Sequence, residues 1–422
     1  MHSMPDRPLR ICLVSLEYPP ETAHGGIGSQ NWTKARELAA RGHDVHVLSS
    51  AATRGDALRT ERHGDVTVHR LQPPDHQVPL YRPASFLVGY TWAVLAALSE
   101  LTRDQPFDLL DFAEYGAEGY AYQLDRSPWN WMPVVVQLHG PLSMFGERIG
   151  WPGTDSDLYR VGASMEEESI RRADALMACS ANIADFTAER HGVARADIDV
   201  VHCGVDAAAF RPNGRHADPD RPTVLFAGDF SYSKGAKVAF DAVMRLRARH
   251  PAIKLRMLGK ETDLSRELVM RARADGAGDN LEMVGFVEDR DELARHYREA
   301  DVFCSTADHE VGVANVYIEA MASGCPVVAS TTGGAPEAVV DGESGLLVPP
   351  RSVDATADAL GRIVGDPGLR GRMSVEARAR VDDYFAGERY ADRVLATYAR
   401  AIERSEERRA AAVQRAEEGD LT

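Results

Sequence analysis

Two stretches of the chain share one pattern, in which an apolar strand-like run gives way to helical spacing and then to a second apolar run. In the first stretch the elements are, in order, a strand at 9–16, a glycine loop at 25–28, a helix at 29–41 ended by Gly42, and a strand at 44–49. In the second they are a strand at 223–228, a loop at 229–233, a helix at 235–250 and a strand at 253–258. Because this alternation is typical of βαβ units, the sequence predicts two tandem doubly wound, Rossmann-like α/β domains facing across a cleft.

The length of the chain supports this division, since 422 residues are too many for a single hydrophobic core. We predict, in chain order, an N-terminal domain at 1–205, a linker at 206–222, a second domain at 223–385, a C-terminal helix at 386–403 and a charged, disordered tail at 404–422. The linker is rich in Pro, Asp, Gly and Arg and has no periodicity. Tyr390, Val394, Tyr398 and Ile402 recur at helical spacing, which predicts a helix that packs back onto the body.

The composition excludes several classes of partner. A formal net charge of −16 argues against nucleic acid and against electrostatic binding to anionic lipid. An anionic substrate must therefore be bound by local cations and backbone amides. The five cysteines lie in or beside apolar runs, with no Cys-x-x-Cys and no paired histidine spacing, so we expect reduced core thiols in a cytoplasmic protein and no metal site.

The most apolar run spans 86–98 and is too short to cross a bilayer. Gly89 and Thr91 interrupt it. A buried helix is the favoured interpretation, and a membrane-docking face is the alternative.

The segment from 301 to 337 carries the clearest chemical signal. It reads as a buried strand at 301–307, a loop with two acids, and a helix that Asn315 caps and Gly324 ends. The amides of Asn315 and Val316 at a helix N-terminus suit a diphosphate. Glu319, one turn further, has a carboxylate able to accept both hydroxyls of a ribose, although the same residue also fits an exposed position on an amphipathic helix.

Together with motifs elsewhere, this segment resembles glycosyltransferase family 4, the retaining nucleotide-sugar transferases of GT-B architecture. The motifs that carry the resemblance are Tyr18–Pro20 with Gly25–Gly28, Arg41–Val45, Gln137–Pro141, Ala173–Ser180, His202–Asp206, Lys234–Gly235, Gly285–Val287, Asp308–Ala329 with Gly333–Glu337, and Gly342–Pro349. Each is weak alone, and their order and spacing over nearly the whole chain make them specific.

The resemblance implies transfer of a sugar from a nucleoside diphosphate to an acceptor hydroxyl with retention at the anomeric carbon, without metal or cofactor. UDP-sugars are the favoured donors because they are common in the family. The catalytic residues it implies are His139, Lys234 and Glu310; the donor-binding residues are Gly26, Ile27, Gly28, Asp229, Lys234, Val287, Gly312, Ala314, Asn315, Val316 and Glu319; Glu114 and Tyr115 are candidates on the acceptor side. Glu114 fits a solvated loop acid equally well.

Two positions depart from the family pattern. Where many members have an arginine after the glycine that ends the second domain's first strand, this chain has Asp229. The first of the family's paired acids belongs eight positions before the second, which places Val311 in the slot and Glu310 one position early. A bulge with Gly312 at positive φ would bring Glu310 into the slot. Otherwise a contact to the sugar is lost, and a deoxy or amino sugar is expected.

Other functions remain as alternatives. A regulatory nucleotide-sugar-binding protein on the same scaffold is one, and a GT-B phosphorylase or epimerase is another. A dinucleotide oxidoreductase is disfavoured, because the loop at 25–28 lacks the spaced glycine fingerprint and no acid is well placed after the second strand. The sequence leaves the acceptor, the donor base, the donor sugar and the oligomeric state open.

Overall fold

The computed structural model describes residues 7–22, 25–73, 83–212 and 221–418. The chain forms two compact units, one made of Met1–His202 with Tyr390–Thr422 and the other of Cys203–Arg389. Each unit has its own sheet of mainly parallel strands, which confirms the predicted class of two doubly wound α/β domains. Of the predicted linker at 206–222, residues 213–220 lie outside the described residues.

The first unit is an eight-stranded sheet with helices between its strands. Its strands are β1 (Arg10–Val14), β2 (Asp44–Ser50), β3 (Leu58–His63), β4 (Val66–Leu71), β5 (Leu109–Ala113), β6 (Val134–Leu138), β7 (Ala175–Ala178) and β8 (Ile198–Val200). Its helices are α1 (Gly26–Ala40), α2 (Pro83–Leu101), α3 (Tyr120–Asp125), α4 (Leu142–Arg148), α5 (Asp157–Arg172) and α6 (Ala181–His191). The sheet order is β3-β4-β2-β1-β5-β6-β7-β8, and β3 alone runs antiparallel to its neighbour.

The second unit is a six-stranded sheet. Its strands are β9 (Thr223–Ala227), β10 (Lys254–Leu258), β11 (Leu281–Gly285), β12 (Val302–Ser305), β13 (Val327–Ser330) and β14 (Gly345–Val348). Its helices are α7 (Ala236–Leu246), α8 (Asp263–Ala274), α9 (Arg290–Arg298), α10 (Asn315–Ala322), α11 (Ala335–Ala338), α12 (Val353–Gly365) and α13 (Pro367–Arg380). The order β11-β10-β9-β12-β13-β14 is parallel throughout, so the carboxyl ends of all six strands lie on one edge.

A long helix, α14 (Gly387–Glu417), follows a π-helical turn at Val381–Phe385. Tyr390, Val394 and Tyr398 are completely buried against the core of the first unit, which confirms the predicted packing of the C-terminal helix. A buried polar network reinforces this packing. Asp111 of β5 accepts a hydrogen bond from Tyr398 Oη and pairs with Lys34 Nζ at 2.7 Å. Such a network specifies how the helix docks, because any missing partner would leave a buried charge unpaired.

The prediction of a disordered tail at 404–422 is wrong for residues 404–417, because α14 continues to Glu417, and residues 419–422 lie outside the described residues. Polar contacts within the first unit hold the extension. Ser405 accepts a hydrogen bond from Trp131 Nε1, Arg404 pairs with Asp197, and Arg408 pairs with Asp174. Apolar periodicity misses such a helix, since charged side chains and not apolar ones anchor it.

The five cysteines are all buried as free thiols. Within the described residues no helix is long and apolar enough to cross a membrane. No cluster of three or more His, Cys, Asp or Glu side chains in that same part of the chain could hold a metal ion.

Candidate functional site

Lys234 lies in the loop that joins β9 to α7, at the carboxyl edge of the second sheet. Its backbone is held at both sides, because its amide donates to Ser231 Oγ and the amide of Asp308 donates to the carbonyl of Ser233. Gly235 then adopts φ +77, and a Cβ there would lie 2.6 Å from the carbonyl oxygen of Thr306. Only glycine lets the loop approach β12 so closely. The lysine is thereby placed over the end of the sheet.

Glu310 is brought to this lysine. Lys234 Nζ donates to both carboxylate oxygens of Glu310, at 3.1 Å each. The glutamate side chain is 10% exposed and the lysine side chain 40% exposed. A cation and an acid therefore face each other at the strand ends, and the lysine stays accessible to a ligand.

The route by which Glu310 reaches this position differs from the expected one. Gly312 is not among the described glycines with positive φ, so the positive φ predicted for it is wrong. The room comes from the loop after β13. Gly333 has φ +61, and a Cβ on it would lie 1.6 Å from the carbonyl oxygen of Glu310. A Cβ on Gly334 would lie 2.4 Å from the carbonyl group of Gly312. Two neighbouring residues without side chains thus make space for the displaced acid.

The helix α10 begins close to where the sequence predicted it, but its N-cap residue differs from the predicted one. Ala314, not Asn315, is the N-cap residue, and no side chain caps the helix. Asn315 and Val316 therefore form its first turn, with their amides directed at the carboxyl edge of the sheet. Gly324 ends the helix at φ +74, as expected. The geometry suits an anion at the helix N-terminus.

Glu319 is buried, with 7% of its surface exposed, which excludes the alternative of an exposed helical glutamate. Its Oε2 accepts a hydrogen bond of 3.1 Å from the hydroxyl of Tyr297 on α9. Burial raises the pKa of this carboxyl group, and the charge of Arg290 and the tyrosine hydrogen bond act in the opposite direction. No side chain of the described residues hydrogen bonds to Oε1, which leaves that oxygen as an acceptor.

Asp229 lies in the loop after β9, and Val287 lies in the loop after β11. Asp229 is exposed, and its carbonyl accepts a hydrogen bond from the amide of Ser231. No cation in the described ranges lies within ion-pair distance of it. Val287 is half-buried in the loop before α9. The position that usually holds a second cation thus carries an acid turned to solvent.

In the first unit, His139 follows β6 and is half-buried. Desolvation, with a smaller effect of the Lys34 charge, lowers the pKa of its imidazole to about 3. Its Nε2 has no hydrogen-bond partner among the described residues. Glu114, after β5, accepts hydrogen bonds from the backbone amides of His139 and Gly140. It is completely buried, so the alternative of a solvated loop acid is wrong.

Two further buried acids hold neighbouring loops of the same edge. Glu118 accepts a hydrogen bond from the amide of Leu16, and Glu166 accepts from the amides of Gly116 and Leu142. Burial raises the pKa of Glu114 to about 7 and of Glu118 to about 8, and that of Glu166 well above its usual range. These carboxyl groups fix the loops after β1, β5 and β6 at one place.

The remaining candidates of the first unit are placed as follows. Tyr115 is half-buried, and desolvation together with nearby carboxylates raises the pKa of its hydroxyl. Gly26, Ile27 and Gly28 do not form the predicted loop but the first turn of α1, with Gly25 as N-cap. Of the residues at 25–28, only Ile27 has a side chain that must be accommodated at the start of this helix.

The sequence analysis missed Tyr297, Glu118 and Glu166 as residues that shape the site, and it named Gly333 and Gly334 within a motif without giving them a role. For Glu118 a signal existed, since it lies four residues after Glu114 in a turn-rich segment. Tyr297 gave no comparable signal, because its partner lies 22 residues away in the chain.

Comparison with known proteins places this chain among glycosyltransferases. The family model "Glycosyltransferase Family 4" matches residues 24–209, and the model "Glycosyl transferases group 1" matches residues 221–366. The chain is 29% identical over 388 residues to a glycogen synthase of Mycobacterium tuberculosis, covering 89% of this chain and 91% of that protein. It is 29% identical over 415 residues to a D-inositol 3-phosphate glycosyltransferase of Mycobacteroides abscessus, covering 94% and 90%.

Solved structures show the same fold. Sucrose-phosphate synthase from Thermosynechococcus elongatus superposes with a TM-score of 0.74 at 24% identity, covering 91% of this chain and 96% of that one. Anabaena Alr3699/HepE in complex with UDP-glucose superposes with a TM-score of 0.68 at 17% identity, covering 92% and 98%. The two family matches follow one another along the chain as its two α/β units do, and the protein is therefore a glycosyltransferase of the GT-B architecture, with a family 4 domain followed by a group 1 domain.

Proposed function

We propose that this protein is a retaining, metal-independent glycosyltransferase that moves a sugar from a nucleoside diphosphate, with UDP as the favoured carrier, to an acceptor hydroxyl. The observation that carries the proposal is the pairing of Lys234 with Glu310 of the loop that leads to α10, a helix that begins without a side-chain cap and carries the buried Glu319. The HepE structure, which holds UDP-glucose, supports a uridine donor, and the names of the relatives support sugar transfer.

Lys234 is proposed to neutralise the leaving diphosphate. In such a reaction the bond between the anomeric carbon and the diphosphate oxygen breaks, and negative charge accumulates on that oxygen. A cation placed there lowers the barrier, because it interacts more strongly with the transition state than with the ground state. Asp229 supplies no positive charge, so Lys234 would be the side-chain cation that binds the diphosphate, aided by backbone amides that include those of Asn315 and Val316.

Glu310 is proposed to contact the donor sugar. In the free protein its carboxylate pairs with Lys234. A bound diphosphate would compete for the same lysine, and the released carboxylate would then accept hydrogen bonds from sugar hydroxyls. Binding thus exchanges one ion pair for another, which limits the cost of moving Lys234 out of its resting contact.

The remaining roles follow the family resemblance. Glu319 is proposed to bind the ribose, and the backbone near Val287 the base. His139 is proposed to contact the donor sugar as a neutral imidazole, since its lowered pKa keeps it unprotonated near pH 7. Gly26, Ile27 and Gly28 are proposed to add amides to the diphosphate site, and Glu114 and Tyr115 to serve the acceptor side.

The proposal is tested by offering the purified protein UDP, ADP and GDP and their glucose conjugates. A ligand at 100 times its Kd adds ~2.7 kcal/mol, which should raise Tm by roughly 5–10 °C for domains of this size. Transfer to a sugar or polyol acceptor is then followed by NMR of the anomeric proton, with and without EDTA.

Retention with EDTA-insensitive turnover is the expected result. An inverted product or loss of activity in EDTA would refute the retaining or the metal-independent assignment. Binding without turnover on any acceptor would favour the regulatory alternative, and a lack of any nucleotide effect would refute the donor site altogether.

A further inference from the structure

Tyr297 is the side chain that holds Glu319. The tyrosine lies on α9 with none of its surface exposed, and its hydroxyl donates to Glu319 Oε2 at 3.1 Å. Its ring packs against Phe303 of β12 at a centroid distance of 5.7 Å and edge-on against Phe210 at 6.0 Å. Because aromatic neighbours on two sides fix the ring, the hydroxyl has one position available.

The hydrogen bond determines what Glu319 can offer a ligand. A glutamate has three side-chain torsions, and its two oxygens are equivalent until one of them is bound. Tyr297 occupies Oε2, which orients the carboxyl plane and leaves Oε1 open. The donor is a neutral hydroxyl whose own pKa burial raises well above its usual value, so it donates to Glu319 without bringing a charge of its own. A charged partner in the same place would weaken the remaining oxygen as an acceptor.

We infer that Tyr297 is a positioning residue for recognition of the donor ribose, acting through Glu319. The inference rests on the proposed function, because it requires Glu319 to bind the ribose. It extends that function by assigning a role to a residue that does not touch the ligand. It also predicts that the effect of the tyrosine hydroxyl depends on the ribose hydroxyls.

The test compares Tyr297→Phe with wild type using two ligands, UDP and 2′,3′-dideoxy-UDP, with Kd measured by calorimetry. The variant should bind UDP about tenfold more weakly, the factor that corresponds to ~1.4 kcal/mol, and should bind the dideoxy ligand as wild type does. Equal weakening for both ligands, or no weakening for either, overturns the inference.

Tyr317→Phe is the matched control. Tyr317 is equally buried and lies in the same group of aromatic rings, but its hydroxyl donates to the carbonyl of Ser305 and not to Glu319. Loss of its hydroxyl should leave the ratio of the two Kd values unchanged. A change in this ratio as large as that of Tyr297→Phe would also overturn the inference, since general loosening of the core would then explain both.

Glu319→Gln separates failure of the inference from failure of the proposed function. If this variant binds UDP as wild type does, the ribose assignment of Glu319 is wrong and the inference falls with it. If Glu319→Gln weakens UDP selectively and Tyr297→Phe does not, the ribose assignment stands and only the positioning role is refuted.

Discussion

Gly333 controls the position of Glu310, and replacing it by alanine tests how the displaced acid is accommodated. Gly333 has φ +61, and the added Cβ would lie 1.6 Å from the carbonyl oxygen of Glu310. The same carbonyl accepts a 2.7 Å hydrogen bond from the amide of Gly334. In Gly333→Ala the backbone at Glu310 must therefore move, and its carboxylate should lose contact with Lys234.

The expected loss of stability in Gly333→Ala has two parts. A non-glycine residue in the left-handed region costs ~1–2 kcal/mol, and a lost buried hydrogen bond about 1 kcal/mol more. We expect the free energy of unfolding to fall by about 2–3 kcal/mol in guanidinium titrations. Turnover with an accepted donor should fall by roughly tenfold or more, because the barrier rises by ~1.4 kcal/mol for each factor of ten.

Gly342→Ala provides the control. Gly342 has φ +80, but a Cβ there would have nothing within 4 Å. This variant carries the conformational strain without the collision, so it should lose ~1–2 kcal/mol of stability and keep its turnover. Equal losses of stability in the two variants, with turnover kept in both, would refute the argument that Gly333 makes room for Glu310.

Three further results are expected. Lys234→Ala should lower kcat more than it lowers affinity for the nucleoside. Lys237 of α7 is paired within its own helix, so Lys237→Ala should change neither quantity. Equal loss of nucleoside and nucleoside-diphosphate binding in Lys234→Ala would contradict the role of Lys234. Glu310→Gln should reduce transfer and spare nucleoside binding, and wild-type kinetics would exclude the sugar contact. Glu114 has a folded-state pKa raised to about 7 from an ordinary 4.5, so the stability it contributes is fully present below the lower value and is lost as pH rises through the higher one. Glu114→Gln should therefore lose less stability than wild type across that pH interval, and the exposed control Glu189→Gln should match wild type.

Much of the fold was predictable because buried parallel strands are apolar on both faces. The strands predicted at 223–228 and 44–49 differ from β9 and β2 by one residue at one end. Glycine stops were equally informative, since Gly42 and Gly324 both have positive φ. The starts of helices were less informative in the sequence than their ends. Gly25 and Ala314, the N-cap residues of α1 and α10, have no side-chain acceptor that could indicate a cap, and the starts of these two helices were predicted wrongly.

Within the site, the sequence identified side chains and could not identify their partners. Counting along the chain placed Val311 at the position of the family's first acid, but whether a residue can act as that acid depends on its distance to Lys234. Gly333, which makes Glu310 fit, lies on a different loop, and no local pattern connects the two. The extension of α14 beyond residue 403 was missed for a related reason, because its last turns are held by ion pairs with residues far away in sequence.

Glu310 and Glu319 look alike in the sequence, and the structure gives them opposite partners. Glu310 faces the cation of Lys234, for which we propose that a bound diphosphate competes. Glu319 faces the neutral hydroxyl of Tyr297, which occupies one of its two oxygens. An acid that can exchange its partner suits the part of a donor that changes during reaction, and an acid held in one orientation suits the part that does not change. The different surroundings of the two carboxylates thus match the different demands of a transferred sugar and a retained ribose.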